Sequence, residues 1–211
     1  MTSGEPVMSG GAYDQRPGPD TFVVRPTTLP LASRPDVLVF QTEPLDEAVV
    51  VAGPVVARLS VSSTAVDTDI TVKLVDVHPP TPHHPAGFAM NVTEGILRCR
   101  YRDGFDTPIP MEPGEVYEIE VVAPDTANLF AAGHRIRVDV ASSSFPRFDV
   151  NPGTGGQVAG SRRSVVATNT LHLGTSHLEL RVERPTDPDV ATPVDDHHDE
   201  EHHHEEHHHD H

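Results

Sequence analysis

Tryptophan is absent from this 211-residue chain, cysteine occurs once, and aromatic residues together make up 5%. So few rings leave little from which to build a stacking platform for sugars or bases. Any core must therefore come from Val, Leu, Ile and Ala. The single Cys99 excludes an internal disulfide, and its surroundings predict a small buried hydrophobe. Long apolar runs are also missing. None approaches the roughly 20 residues of a membrane-spanning helix, and the N-terminal residues lack a charged-then-apolar leader pattern. A soluble, cytoplasmic protein is the expectation. Basic residues are scarce too, with 15 Lys and Arg against 32 Asp and Glu, a formal charge of -17. Residues 195–211 hold eight of those acids and no Lys or Arg, which leaves about -9 on the remainder. A phosphate backbone is repelled by such a field, so nucleic acid is not expected as a partner, and neither is a membrane.

What the chain has in quantity is Pro and Gly, 21 and 15 residues. That composition breaks long helices and suits short strands joined by fixed turns. Residues 1–35 have no sustained period and are expected to form an extended arm, with Phe22-Val23-Val24 as a short edge strand. From residue 36 the texture changes. Val37-Leu38-Val39-Phe40, Ala48–Val51 and Pro54–Val61 are short apolar or alternating runs. Asp69–Val77 alternates cleanly, placing Ile70, Val72, Leu74 and Asp76 on one face. Further strands are expected near 95–102, 115–122, 134–142, 164–171 and 177–183, with one helical turn over Asp125–Phe130 capped by Asp125 or Thr126. Eight to ten short strands at this spacing predict an all-β, two-layer antiparallel sandwich over 36–183. Residues 184–211 are expected to be a disordered acidic tail.

Three groups of residues invite a chemical reading. Asp67, Asp69 and Asp76 have the spacing of a hard-cation site, but pairing of these carboxylates with Arg98, Arg100 or Arg102 on a neighbouring strand is the favoured expectation. His134 is a general-base candidate, yet its place after Gly133 at a strand start predicts a structural ring. The tail carries His197, His198, His202, His203, His204, His207, His208, His209 and His211 among acids. Such a set binds nickel, zinc or copper adventitiously. Metal buffering through it is one alternative function, and a carbohydrate- or ligand-binding sandwich module is another. No cofactor is expected. His78, His83 and His84 lie in a Pro-rich loop, where a weak metal site is one alternative and solvated side chains are the favoured expectation.

The succession Asp36–Leu45, Gly53-Pro54, Asp67-Thr68-Asp69-Ile70, Leu74–Val77, Glu94–Arg98 and Tyr101-Arg102 resembles a known domain. So, in the same order, do Pro113-Gly114-Glu115, Thr126–Phe130, Gly133–Arg137, Ser144–Phe148, Asn151-Pro152 and Thr154-Gly155. The resemblance covers roughly residues 10–183, and it is to the C-terminal domain of the X-Pro dipeptidyl-peptidase and cocaine-esterase-like serine hydrolases. It implies a jelly-roll β-sandwich of galactose-binding-like type. It also implies an accessory role beside an α/β-hydrolase domain that carries a Ser-Asp-His triad. No nucleophile elbow with that context occurs in this sequence, and Ser142-Ser143-Ser144 has the wrong surroundings. Gly10-Gly11 and Ala12–Arg16 resemble the linker leading out of the catalytic part, where the chain is expected to begin. The resemblance further implies a docking surface formed by Asp14, Gln15, Arg16, Phe145, Pro146, Arg147, Phe148 and Asn151. Its partner would be an α/β-hydrolase chain, or a second copy through self-association.

Overall fold

The computed structural model describes residues 36–158, 161 and 163–183, together with the backbone of residues 7–9. Among the described residues eight strands run β1 (Val7–Ser9), β2 (Val37–Gln41), β3 (Val49–Ser63), β4 (Asp69–His78), β5 (Phe88–Arg98), β6 (Tyr117–Phe130), β7 (Arg135–Ala141) and β8 (Thr168–Glu183). Every pairing is antiparallel, and they nest. The β4–β5 hairpin lies innermost, followed outward by β3–β6, β2–β7 and β1–β8. Folding this ribbon over itself yields two four-stranded sheets, β1-β8-β3-β6 and β2-β7-β4-β5. That arrangement is a jelly roll.

Alternation decides which side chains meet between the sheets. Val51, Val55, Ala57, Leu59 and Val61 from β3 and Ile119, Val121, Ala123 and Phe130 from β6 pack against Leu38, Ile70, Val72, Leu74 and Val140 of the other sheet. The core is aliphatic, as the shortage of rings requires. Along the β5–β6 side the sheets nearly touch. A Cβ on Gly95 would lie 2.8 Å from the Val122 carbonyl oxygen and 2.9 Å from the Ala123 nitrogen, so this approach needs glycine. On the opposite side, between β2, β7 and β8, the sheets diverge around a cavity of about 310 Å³.

Several expectations change in detail. Residues 125–130 are not a helical turn. Thr126, Ala127 and Asn128 pair with Gly53, Ala52 and Val51, so β6 continues to Phe130. The long β3 offers these backbone groups partners all along its length, and tertiary pairing outweighs a local cap. The two runs 48–51 and 54–61 are likewise one strand, carried past Gly53-Pro54 by a register shift. The runs at 164–171 and 177–183 merge into β8, again across a register shift. β5 stops at Arg98, and Cys99–Tyr101 form a 3-10 turn instead of more strand. The sandwich also takes its outermost strand, β1, from inside the segment read as an arm. Phe22–Val24 and residues 184–211 lie outside the described residues.

Candidate docking surface and the two ends of the sandwich

The loops after β3, β5 and β7 meet at one end of the sandwich, and their roots are tied by charge. Asp67 and Asp69 are both fully buried there. The Arg98 guanidinium donates two hydrogen bonds to Asp69, Nε to Oδ1 and Nη2 to Oδ2, each 2.9 Å. This pairing raises the Arg98 pKa further above its ordinary value. Asp67 Oδ1 accepts the Arg100 backbone N–H (3.1 Å), while Arg100 Nη1 reaches the carbonyls of Gly155 (2.9 Å) and Gly156 (2.6 Å). The expected Asp–Arg pairing is present for Arg98 and Arg100. Arg102 instead bonds the carbonyls of Cys99 and Ile109 and lies 4.3 Å over the Tyr117 ring.

Asn151 completes this knot. Its amide Nδ2 donates to Asp67 Oδ2 (2.9 Å) and Asp69 Oδ1 (2.7 Å), and its Oδ1 accepts the Gly153 N–H (2.9 Å). Gly153 and Gly155 hold φ values of 72° and 70°, which L side chains rarely adopt. Thus the Asn-Pro-Gly-Thr-Gly run is the anchored base of the long loop between β7 and β8. Asn151, grouped by sequence with the docking residues, spends its side chain inside the protein. Arg147 is also engaged, its Nη1 donating to buried Glu94 Oε2 at 3.0 Å, and Phe148 is half-buried beside it. Phe145 is different: it is 70% exposed. Phe105, Val150, Val165 and Val166 are exposed on loops of the same end, Val166 to 88%. Asp14, Gln15, Arg16 and the nine tail histidines lie outside the described residues.

Cys99 is sealed beneath these loops. Burial, reinforced by the charges of Asp67 and Asp69, pushes its thiol up to about 12, so it stays protonated and unreactive at neutral pH. The bland reading of this cysteine holds.

At the other end Asp76 closes the core. It is buried on the inward face of β4, and its partners are His134, His78 and Asn128. His134 Nδ1–H donates to Asp76 Oδ1 at 2.8 Å, and Asn128 Nδ2 donates to Asp76 Oδ2 at 3.3 Å. His78 stacks on Phe88 with ring centroids 3.9 Å apart. Burial lowers its pKa below 6.5 despite the nearby carboxylate. His134 is therefore a hydrogen-bonded ring at a strand start, as expected, but its partner comes from another strand and could not be named from spacing. The solvated reading fails for His78, which is half-buried, and holds for His83 and His84.

The cavity between β2, β7 and β8 is walled by Phe40, Leu59, Val138, Leu171, Leu178 and Leu180. Gln41, Thr42, Ser176 and His177 supply its polar groups. An aliphatic wall of this kind does not present the array of hydrogen-bonding groups that a sugar requires. Among the described residues the only helical segment is Cys99–Tyr101, so no strand-to-helix elbow holds a nucleophilic serine.

The class is thus a jelly-roll β-sandwich domain with charge-locked loops at one end. Residues 7–180 match the family described as the X-Pro dipeptidyl-peptidase C-terminal non-catalytic domain, and the chain belongs to that family. Over 150 residues it is 45% identical to cocaine esterase of Rhodococcus sp. (strain MB1 Bresler), covering 70% of this chain and 25% of that protein. Among solved structures, an α-amino acid ester hydrolase superposes with TM-score 0.70 at 29% identity, over 85% of this chain and 36% of that one. An aminopeptidase from the marine sediment archaeon Thaumarchaeota archaeon gives TM-score 0.69 at 36% identity, over 72% and 27%. The chain spans about a quarter of the curated relative's length.

Proposed function

We propose that this chain acts as an accessory domain, seating its loop end against an α/β-hydrolase catalytic domain carried elsewhere. The observation that carries the reading is Phe145, 70% exposed on a loop whose base is held by Asn151 on two buried carboxylates. A rigid loop presenting an exposed ring loses little conformational freedom on contact. Exposed apolar side chains gathered at one end of a domain are a usual mark of an interaction surface. The relatives support the reading by their length and by their names, which are those of an esterase, an ester hydrolase and an aminopeptidase. The chemistry is assigned to the partner, and the chain alone should not turn over X-Pro dipeptide amides or short acyl esters.

The test mixes this chain with the part of the Rhodococcus cocaine esterase outside its matched segment, produced as a separate polypeptide. Size-exclusion chromatography with light scattering and calorimetry should detect a one-to-one complex. Phe145→Ala combined with Val166→Ala should weaken it at least tenfold. Absence of a complex with the unaltered chain, or equal binding by the double variant, sinks the docking reading. Without a partner, the same surface should make the isolated chain self-associate, more strongly in the unaltered protein than in the double variant.

A further inference from the structure

Asp76, His78 and His134 converge in a way that neither the family assignment nor the docking role uses. In the β4–β7 register Val77 faces Arg135, so His78 and His134 stand opposite each other at the end of the pair. Asp76, two residues from His78, shares their inward face. Each of the three residues can bring one ligand atom to within 4.8 Å of the other two. His78 Nε2 lies 3.5 Å from Asp76 Oδ2 and is buried without any hydrogen-bond partner. His134 Nδ1 lies 2.8 Å from Asp76 Oδ1. Two imidazole nitrogens and one carboxylate oxygen are donors that suit zinc better than calcium or magnesium.

We propose that Asp76, His78 and His134 form a binding site for a zinc-class divalent cation. Metal–ligand bonds of about 2.0–2.2 Å place tetrahedral ligand atoms roughly 3.4 Å apart. His78 Nε2 stands at about that distance from Asp76 Oδ2, and His134 Nδ1, 2.8 Å from the other oxygen Oδ1, must draw back by about half an ångström as the carboxylate turns to the cation. The cation takes the place of the proton between His134 Nδ1 and Asp76 Oδ1, and the neutral His134 ring then carries its one proton on Nε2. Asn128 Nδ2 donates to Asp76 Oδ2 and the Phe88 ring stacks on His78, the kind of support that orients ligands before binding. Both imidazoles keep some exposure while Asp76 keeps almost none. A cation can therefore enter from the sandwich mouth, with water as its fourth ligand.

The histidine-rich tail would obscure a simple binding assay, so the test reads stability. The nine tail imidazoles lie within residues 197–211, and the unfolded chain keeps them together. Zinc held by the tail alone contributes equally in the unaltered chain and in a variant changed only at the site, so the difference between the two isolates the site. Asp76, His78 and His134 are close together only in the fold. With the full chain stripped by chelator, zinc chloride at a hundredfold excess over its Kd should raise Tm by roughly 5–10 °C. His78→Ala, which leaves the His134–Asp76 hydrogen bond in place, should abolish most of that rise while changing the zinc-free Tm little. Anomalous diffraction from zinc-soaked crystals should show a peak bonded to all three side chains. No zinc-dependent rise, an equal rise in His78→Ala, or a peak away from these residues overturns the proposal.

Discussion

The two ends of the sandwich both bury carboxylates, and they neutralise them by different means. At the loop end Asp67 and Asp69 meet Arg98, Arg100 and the Asn151 amide. Guanidinium groups stay charged at any physiological pH, so the basic partners in this knot keep their charge. At the opposite end Asp76 meets imidazoles and an amide. Imidazole can lose its proton, gain one, or accept a metal. One end is thus built to hold a shape and the other to respond to what surrounds it. The proposed docking goes with the first property, because a surface that must fit a partner gains from rigidity. Metal binding belongs with the second.

The largest effect expected from breaking this contrast is at Asp67. Asp67→Ala strands the buried Arg100 side of the knot and removes an acceptor from Asn151, which should cost about 3–5 kcal/mol. Urea unfolding would measure it, and a loss under 1 kcal/mol would show that the loop end holds together without its charges. Asp76→Ala should cost less, about 1–3 kcal/mol, because it strands no guanidinium and the two imidazole rings keep part of their surface at the solvent. If Asp76→Ala proved the more damaging, the two ends would have been ranked in the wrong order.

Acid should separate the ends further. Burial holds the folded pKa of His78 below its ordinary value of 6.5, so between those two values the unfolded chain binds the proton first. Stability then falls as pH drops below about 6.5 and is fully reduced once pH passes the folded pKa. Asp76 opposes this shift, while His134 and His84 add to it. The urea midpoint should fall more between pH 7.5 and pH 5.5 in the unaltered chain than in His78→Asn. Equal slopes would remove His78 from the response. The smallest effect should be that of Phe145→Ala on stability. An exposed ring contributes little to the fold, and a change within about 0.5 kcal/mol is expected. A loss of several kcal/mol would place the ring in the core and rule out the docking role proposed for it.

Much of the fold was legible. Alternation over Asp69–Val77 identified β4 and its inward face, and the Pro and Gly content ruled out long helices. Pairing of Asp67 and Asp69 with arginines near 98–102 was also readable, because acids and bases on short neighbouring strands have few other partners. The order of weak motifs pointed to the family, since many motifs in fixed order specify a domain better than any one of them. Strand ends were harder to read. Asn128 and its neighbours looked like a helical turn because local sequence carries no record of the long β3 waiting to pair with them. His78 and His134 are 56 positions apart, and only the β4–β7 register brings them face to face.

Composition and period by themselves determined that this chain is a β-sandwich with an aliphatic core, because side-chain alternation and backbone-breaking residues act locally. The tertiary structure alone decided which buried carboxylate meets a guanidinium and which meets an imidazole. It also decided that Asn151 turns inward while Phe145 points out. Those outcomes depend on strand register and loop anchoring, where a shift of one residue sends each side chain to the opposite face.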